Sequence, residues 1–318
     1  MTDQNHIIAL LFPGQGSQSV GMGKDLYEKY PVARQTFEEA DDALGYKLST
    51  VCFEGPEDQL RLTEITQPAI LTASIAALRV LETRIPKPCY VAGHSLGEYS
   101  AHVASGTFSF ADAVRTVRNR GKYMQEAVPV GVGAMAAILG MDLEKVAAVC
   151  HDAAQVEVCE PANINSPEQV VISGNTAAVE RAAKLADERG AKRAKLLPVS
   201  APFHCSLMKP AQDRLAADLN ALKLQKPVYP VACNVDAALV TDDLRARDTL
   251  LRQVTGSVKW EQCMRLLIAQ GVQTLIEVGP GKVLCGLMRQ IDRSKTCMAA
   301  GDDAALTKTL ESLAKTPA

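Results

Sequence analysis

Cys89-Tyr90-Val91-Ala92-Gly93-His94-Ser95-Leu96-Gly97-Glu98 runs from a short apolar stretch straight into a serine flanked by glycines. The spacing is that of a nucleophile elbow, G-x-S-x-G, in which a strand turns sharply into a helix. A Cβ at either flank would obstruct the turn and the exposed hydroxyl. Ser95 then stands at a helix N-terminus, where unpaired amides and the positive end of the helix dipole favour a developing oxyanion. The Leu96 N–H is the expected donor. Three fixed positions are a weak signal alone, and a turn of small residues is the bland alternative.

Working outward, Ile7 to Phe12 is an apolar run that breaks at Pro13-Gly14-Gln15-Gly16, a buried strand feeding a glycine turn. Helical periodicity follows through about Leu44, and again from about Gln67 to Leu81, before Ile85-Pro86-Lys87-Pro88 and the strand that leads to the elbow. Strand and helix alternate. That order predicts an α/β fold with a parallel sheet covered by helices and functional loops at the carboxyl ends of its strands. Between Gly131 and Leu197 the rhythm changes: a strand at Ala134 to Leu139, a helix at Asp142 to Cys150, strands near Val156 to Cys159 and at Gln169 to Ser173, a helix at Thr176 to Arg189, and a strand at Lys192 to Leu197. This β-α-β-β-α-β order is ferredoxin-like. We expect it to be a small subdomain, 129–198, inserted in a larger one made of 1–128 and 199–318.

Composition narrows the function classes. The chain has 318 residues, 47% hydrophobic and 22% charged, with a formal charge of −2. Those are ordinary proportions for a soluble globular protein, and the charge argues against general nucleic-acid binding. The start, Met1 to His6, has neither a basic nor an apolar leader region, and no apolar run approaches the ~20 residues of a membrane span. A cytoplasmic protein is expected. Nine cysteines without a C-x-x-C pair fit reduced thiols better than a disulfide framework or a zinc site.

A reactive serine needs a base, and the chain offers His6, His94, His102, His151 and His204. His204 is the favoured candidate. It sits in the proline-braced loop Val199-Ser200-Ala201-Pro202-Phe203-His204, where the chain re-enters the large domain, and spacing alone leaves a structural histidine equally open. The glycine turn invites a nucleotide reading that fails. Gly21-Met22-Gly23-Lys24 is followed by Asp25 where a P-loop needs Ser or Thr, and a dinucleotide pattern would need glycine at Ser19. A backbone donor near Gln15, the second arm of an oxyanion hole, is the better role. On the helix from about Phe110, Arg118 and Arg120 border opposite edges of the stripe Phe110, Val114, Val117, Gly121, Met124, and periodicity does not choose between them.

Five ordered blocks carry a resemblance over essentially the whole chain. They are Phe12-Pro13-Gly14-Gln15-Gly16-Ser17-Gln18, Gly93 to Glu98, Arg120-Gly121-Lys122-Tyr123-Met124-Gln125, Asn163-Ile164-Asn165-Ser166-Pro167 and Glu277-Val278-Gly279-Pro280-Gly281-Lys282. Together they resemble the malonyl-CoA:acyl carrier protein transacylase family. The resemblance implies an α/β-hydrolase-like large subdomain beside the ferredoxin-like one. It also implies Ser95 as acylated nucleophile, His204 as base, and the Gln15 and Leu96 amides as oxyanion hole. Arg120 becomes the carboxylate anchor, and Gln253 the residue whose carbonyl orients the histidine.

His94 and Met124 are expected to line the pocket by the same match. Phe203, where a small side chain is also common, is expected to hinder branched acyl groups. A guanidinium suits the terminal carboxylate that separates malonyl from acetyl, because it grips a carboxylate through two parallel charged hydrogen bonds. Glu98 reads as a first-turn acid, in a capping box with Ser95, with no catalytic task. The cluster Arg189, Lys192, Arg193, Lys195 is either a solvated helix end or a surface for an acidic carrier protein. Malonyl-CoA and acyl carrier protein are the expected partners, with no nucleic acid, membrane, metal or cofactor, and a monomer is expected. The alternatives are a polyketide acyltransferase, a serine thioesterase or hydrolase, and a non-catalytic carrier-docking subunit.

Overall fold

Every residue of Ile8–Phe12 is buried, and this run forms β1 near the middle of a six-stranded sheet. The computed structural model describes residues 7–199 and 201–315. The other strands are β2 (Tyr90–Gly93), β3 (Gly133–Leu139), β4 (Cys159–Ser166), β5 (Gln169–Asn175), β6 (Arg193–Leu196), β7 (Val231–Cys233), β8 (Ala238–Val240), β9 (Thr274–Glu277) and β10 (Thr296–Ala299). The large sheet has the order β10-β9-β1-β2-β7-β8 and is parallel except for β8. A separate antiparallel sheet has the order β4-β5-β3-β6. The fold is mixed α/β.

Alternation along β1 shows how the large sheet is held. Ile8, Leu10 and Phe12 enter one apolar cluster, with the helices Pro31–Leu44, Thr63–Leu81 and Phe110–Glu126; Ala9 and Leu11 enter another, under Trp260–Ala269 and Val283–Ile291. Both faces are covered, as a parallel sheet requires. Truncating such a buried leucine to alanine costs about 2–5 kcal/mol. Chain order reverses around β1, whose neighbours are β2 on one side and the much later β9 on the other, so a crevice opens beyond the strand ends. There Phe12 is in register with Gly93, and the glycine turn lies against the elbow.

The small sheet obeys the same alternation. Ala136, Ile138, Val170 and Ile172 pack under the helices Leu143–Ala154 and Thr176–Glu188, while Met135 and Val171 join the large core. Main-chain bonds stitch its edge to the large part: Ile164 N–H donates to Val258 O at 2.8 Å, and Val258 N–H donates to Ala162 O at 2.8 Å.

Three local expectations change. The strand expected near Val156 to Cys159 instead runs Cys159–Ser166, hidden in the sequence by Pro161 and two asparagines; an edge strand tolerates a proline, and the pairing shifts register between Pro161 and Asn163. The first helical stretch divides into Lys24–Lys29 and Pro31–Leu44, because Pro31 has no N–H to continue a helix and begins the next one. The cysteines are not all reduced: Cys285 and Cys297, brought side by side by Val283–Ile291 and β10, form a disulfide with Cα atoms 5.2 Å apart. No helix among the described residues is long and apolar enough to cross a membrane.

Candidate active site

The turn that presents Ser95 is crowded main chain. A Cβ on Gly93 would stand 1.9 Å from Gly97 C, and one on Gly97 would stand 2.0 Å from Phe12 O. Ser95 itself adopts φ 52°, a left-handed conformation unusual for a residue with a side chain. Asn234, just beyond β7, secures it: its Oδ1 accepts from the Ser95 N–H at 2.7 Å, and its Nδ2 donates to Gly93 O at 2.8 Å.

The serine hydroxyl meets His204 Nε2 at 2.7 Å. On the far side of the ring, Nδ1 lies 2.9 Å from the Gln253 carbonyl oxygen, which can only accept. Nδ1 therefore carries the proton and Nε2 is the free acceptor facing the serine. His204 is buried, also with positive φ, 60°. Burial, then the neighbouring Arg120 guanidinium, pushes its pKa down to about 3. The imidazole is therefore neutral near pH 7, with an acceptor nitrogen facing the serine.

Arg120 lies one turn before Met124 on the helix Phe110–Glu126, and is almost fully buried at 2% exposure. Close helix packing brings it in, since a Cβ on the adjacent Gly121 would come within 2.6 Å of Thr63 O. Its Nη1 donates to Gln67 Oε1 at 2.7 Å, and its Nη2 to Gln253 Oε1 at 3.0 Å and Ser95 Oγ at 3.2 Å. It also packs over the Tyr99 ring, 5.5 Å from the centroid. None of its hydrogen-bond partners is a carboxylate; burial lowers its pKa, opposed by the nearby Tyr99 and Glu98. Arg118 turns away to stack on Tyr46. Of the two arginines that periodicity left open, Arg120 is the one that borders the cavity.

Ser95, His204 and Arg120 border one cavity of about 500 Å³ between the two sheets. Gln15, His94, Ser95, Leu96, Arg120, Met124, Phe203 and His204 line it, while Gln253 stands behind as the support of both His204 and Arg120. Among the described residues, neither the Gln15 nor the Leu96 amide donates to a protein acceptor. His94 Nε2 is 2.8 Å from Asn165 Oδ1, and its ring lies near Trp260; burial lowers its pKa. Met124 Sδ accepts a 3.8 Å contact from Gln67 Nε2.

The remaining histidines are elsewhere. His102 is buried against Thr107, His151 is exposed, and His6 lies outside the described residues. Of the basic cluster, Arg189 pairs with Asp152 and Lys192 with Glu168, whereas Arg193 and Lys195 are exposed on β6. No group of three or more His, Cys, Asp or Glu among the described residues is arranged to hold a metal.

The capping box expected of Ser95 and Glu98 does not form. The serine hydroxyl is engaged by His204, and the Glu98 carboxylate instead accepts from Asn234 N–H at 2.9 Å and Gln253 Nε2 at 2.7 Å. Glu98 is fully buried, and burial pushes its pKa up to about 7. Asn234, Gln67 and this use of Glu98 escaped the sequence reading. The available signal for Asn234 was its position directly after the apolar Val231-Ala232-Cys233, at the carboxyl end of a parallel strand.

Comparison with known proteins places the chain in a family. The model of the acyl transferase domain matches residues 9–310. The malonyl CoA-acyl carrier protein transacylase of Escherichia coli (strain K12) is 50% identical over 304 residues, 95% of this chain and 98% of that protein. Among solved structures, the malonyl CoA-acyl carrier protein transacylase of Coxiella burnetii superposes with a TM-score of 0.95 at 42% identity, covering 97% of this chain and 98% of that one. A malonyl-transacylase in complex with its type II PKS acyl-carrier protein gives a TM-score of 0.94 at 46% identity, over 96% and 99% of the two chains. With its serine, histidine and arginine around one cavity and half its residues shared with a curated relative, the chain belongs to the acyl transferase domain family, among the malonyl-CoA:acyl carrier protein transacylases.

Proposed function

We propose that this chain moves a malonyl group from malonyl-CoA to the phosphopantetheine thiol of an acyl carrier protein through a malonyl ester on Ser95. One observation carries the reading: Ser95 Oγ is hydrogen-bonded at once to a neutral histidine and a buried arginine, at 2.7 and 3.2 Å. In the first half-reaction His204 Nε2 takes the serine proton as Oγ attacks the thioester carbonyl carbon. The oxyanion forms at the Gln15 and Leu96 amides. Collapse expels the CoA thiolate, which leaves with the proton held by His204. The second half reverses these steps with the carrier thiol.

Arg120 anchors the malonyl carboxylate, His94 and Met124 shape the pocket, and Phe203 crowds the space a branch at the α-carbon would need. Gln253 fixes the histidine tautomer through its carbonyl. A carbonyl stabilises the imidazolium less than a buried aspartate does, which suits reversible exchange between thioesters. The order β4-β5-β3-β6, with two helices on one face, supports a ferredoxin-like small subdomain over 129–198. The mostly parallel sheet with its serine elbow supports an α/β-hydrolase-like subdomain over 1–128 and 199–318. We take the enzyme to be a cytoplasmic monomer that needs no metal or cofactor.

A second reading changes only the carrier. The similarity to a malonyl-transacylase seen with a type II PKS carrier favours polyketide assembly as the alternative pathway. Mass spectrometry of the intact protein tests both. Malonyl-CoA should leave one malonyl adduct, on Ser95, that disappears as a carrier protein is added and becomes loaded. Release of free malonate, with no loaded carrier, would return the chain to the hydrolases.

A further inference from the structure

Glu98 is a fully buried carboxyl that forms no ion pair among the described residues and does not line the cavity. Burying such a group is costly unless it is paired or hydrogen-bonded. Its Oε2 accepts from the Asn234 N–H and from Gln253 Nε2. The same Gln253 Nε2 donates to Ser95 O at 3.0 Å and approaches Asn234 Oδ1 at 3.3 Å.

A glutamine amide is ambivalent, because either end fits the same space. Here its surroundings are not. Three oxygen acceptors, with the Glu98 carboxylate making the shortest contact at 2.7 Å, collect on one side, while Arg120, which can only donate, occupies the other. A flipped amide would set N–H against the guanidinium and oxygen against carboxyl oxygen. With the observed orientation, the amide oxygens of Gln253 and Gln67 hold both Nη atoms without cancelling their charge.

We propose that Glu98 is a positioning residue for malonyl selectivity: by accepting from Gln253 Nε2 it turns Gln253 Oε1 toward Arg120, and so aims the guanidinium at the substrate carboxylate. The effect passes through one amide and does not involve contact with substrate. The inference rests on the malonyl-transfer reading. The link from residue 98 to residue 253 spans 155 positions of chain, so it belongs to the folded site and not to local turn chemistry.

The test compares acylation of Ser95 by malonyl-CoA and by acetyl-CoA in the parent enzyme and in variants checked for a parental thermal transition. Glu98→Met, which removes the acceptor, should lower the malonyl-to-acetyl ratio of kcat/KM about tenfold or more, the scale of a lost charged hydrogen bond. Glu98→Gln retains an acceptor oxygen and should keep that ratio within about threefold of the parent. Equal losses with both substrates in Glu98→Met, or an equal fall of the ratio in both variants, would reduce Glu98 to a structural role and overturn the proposal. If Glu98→Met does not fold, Gln253→Met, which leaves the main-chain carbonyl to His204, should produce the same loss of ratio. An unchanged ratio there overturns it as well. A parent enzyme with no malonyl preference would instead refute the reading of the site.

Discussion

On the elbow side of the cavity main chain meets main chain, with Gly93 against Gly97 and Gly97 against Phe12, and Asn234 and Gln253 bonded to what remains. On the opposite side, Met135, Leu197 and Phe203 reach the cavity as side chains. The elbow side has no slack. On the side facing it, Met135 and Leu197 make no hydrogen bond to Ser95, and Phe203 meets it only through the neighbouring His204, whose Nε2 is 2.7 Å from the serine hydroxyl. We expect the reacting geometry to be least tolerant of change where packing is backbone on backbone, and tolerance of a branched acyl group to depend on side chains such as Phe203 that border the cavity.

The most severe way to break this contrast is Gly97→Ala. The new Cβ has no room beside Phe12 O, so loading of Ser95 should fall more than about a hundredfold and the fold should lose on the order of 3 kcal/mol or more, read by adduct formation and denaturant midpoint. A variant that folds and loads normally would remove the contrast. Next comes Arg120→Lys, which keeps a charge but loses the planar fork. Malonyl kcat/KM should drop about thirtyfold, with acetyl loading far less affected.

On the yielding side, Phe203→Ala should raise methylmalonyl loading about tenfold while malonyl loading stays within severalfold, measured by competition between the two thioesters. A parent enzyme that already loads methylmalonyl as well as malonyl would show that Phe203 excludes nothing. The smallest effect is expected outside the cavity: charge reversal of Arg193 and Lys195 together should slow carrier loading only about threefold at low salt, and not at high salt.

Acidity sharpens the same contrast. His204 has its folded-state pKa lowered to about 3, so the base stays neutral above that value and is lost only as pH falls through it. The acid limb of Ser95 loading should lie well below 6.5, the ordinary value for histidine. The same sign applies to stability. Unfolded chains bind a proton at this position below about 6.5, so its contribution is present above that pH and declines as pH falls toward the folded value.

The elbow was legible because its chemistry is local: strand, glycine, serine and glycine are contiguous, and steric rules fix what they do. His204 was half legible, picked out by a proline-braced loop but not separable from a structural histidine by spacing. Arg120 could not be told from Arg118 by periodicity, since the difference arises from which helix packs against Gly121. Glu98 and Asn234 were illegible as partners, because the bond between them joins positions 136 apart. β4 was misread for a different reason. Its pairing tolerates Pro161 and polar residues by lying at an edge and shifting register, which a propensity argument counts against a strand.

The close approach of Gly14 to the elbow has a further consequence. A Cβ at position 14 would stand 2.4 Å from His94 O, although the two segments are some eighty positions apart in the chain. Neither can be transplanted into another scaffold by itself. A chimaera that borrows this serine turn must import the strand, the glycine turn and the spacing between the two strands as one unit, and a design carrying only the G-x-S-x-G signature would reproduce the letters without the reactive geometry.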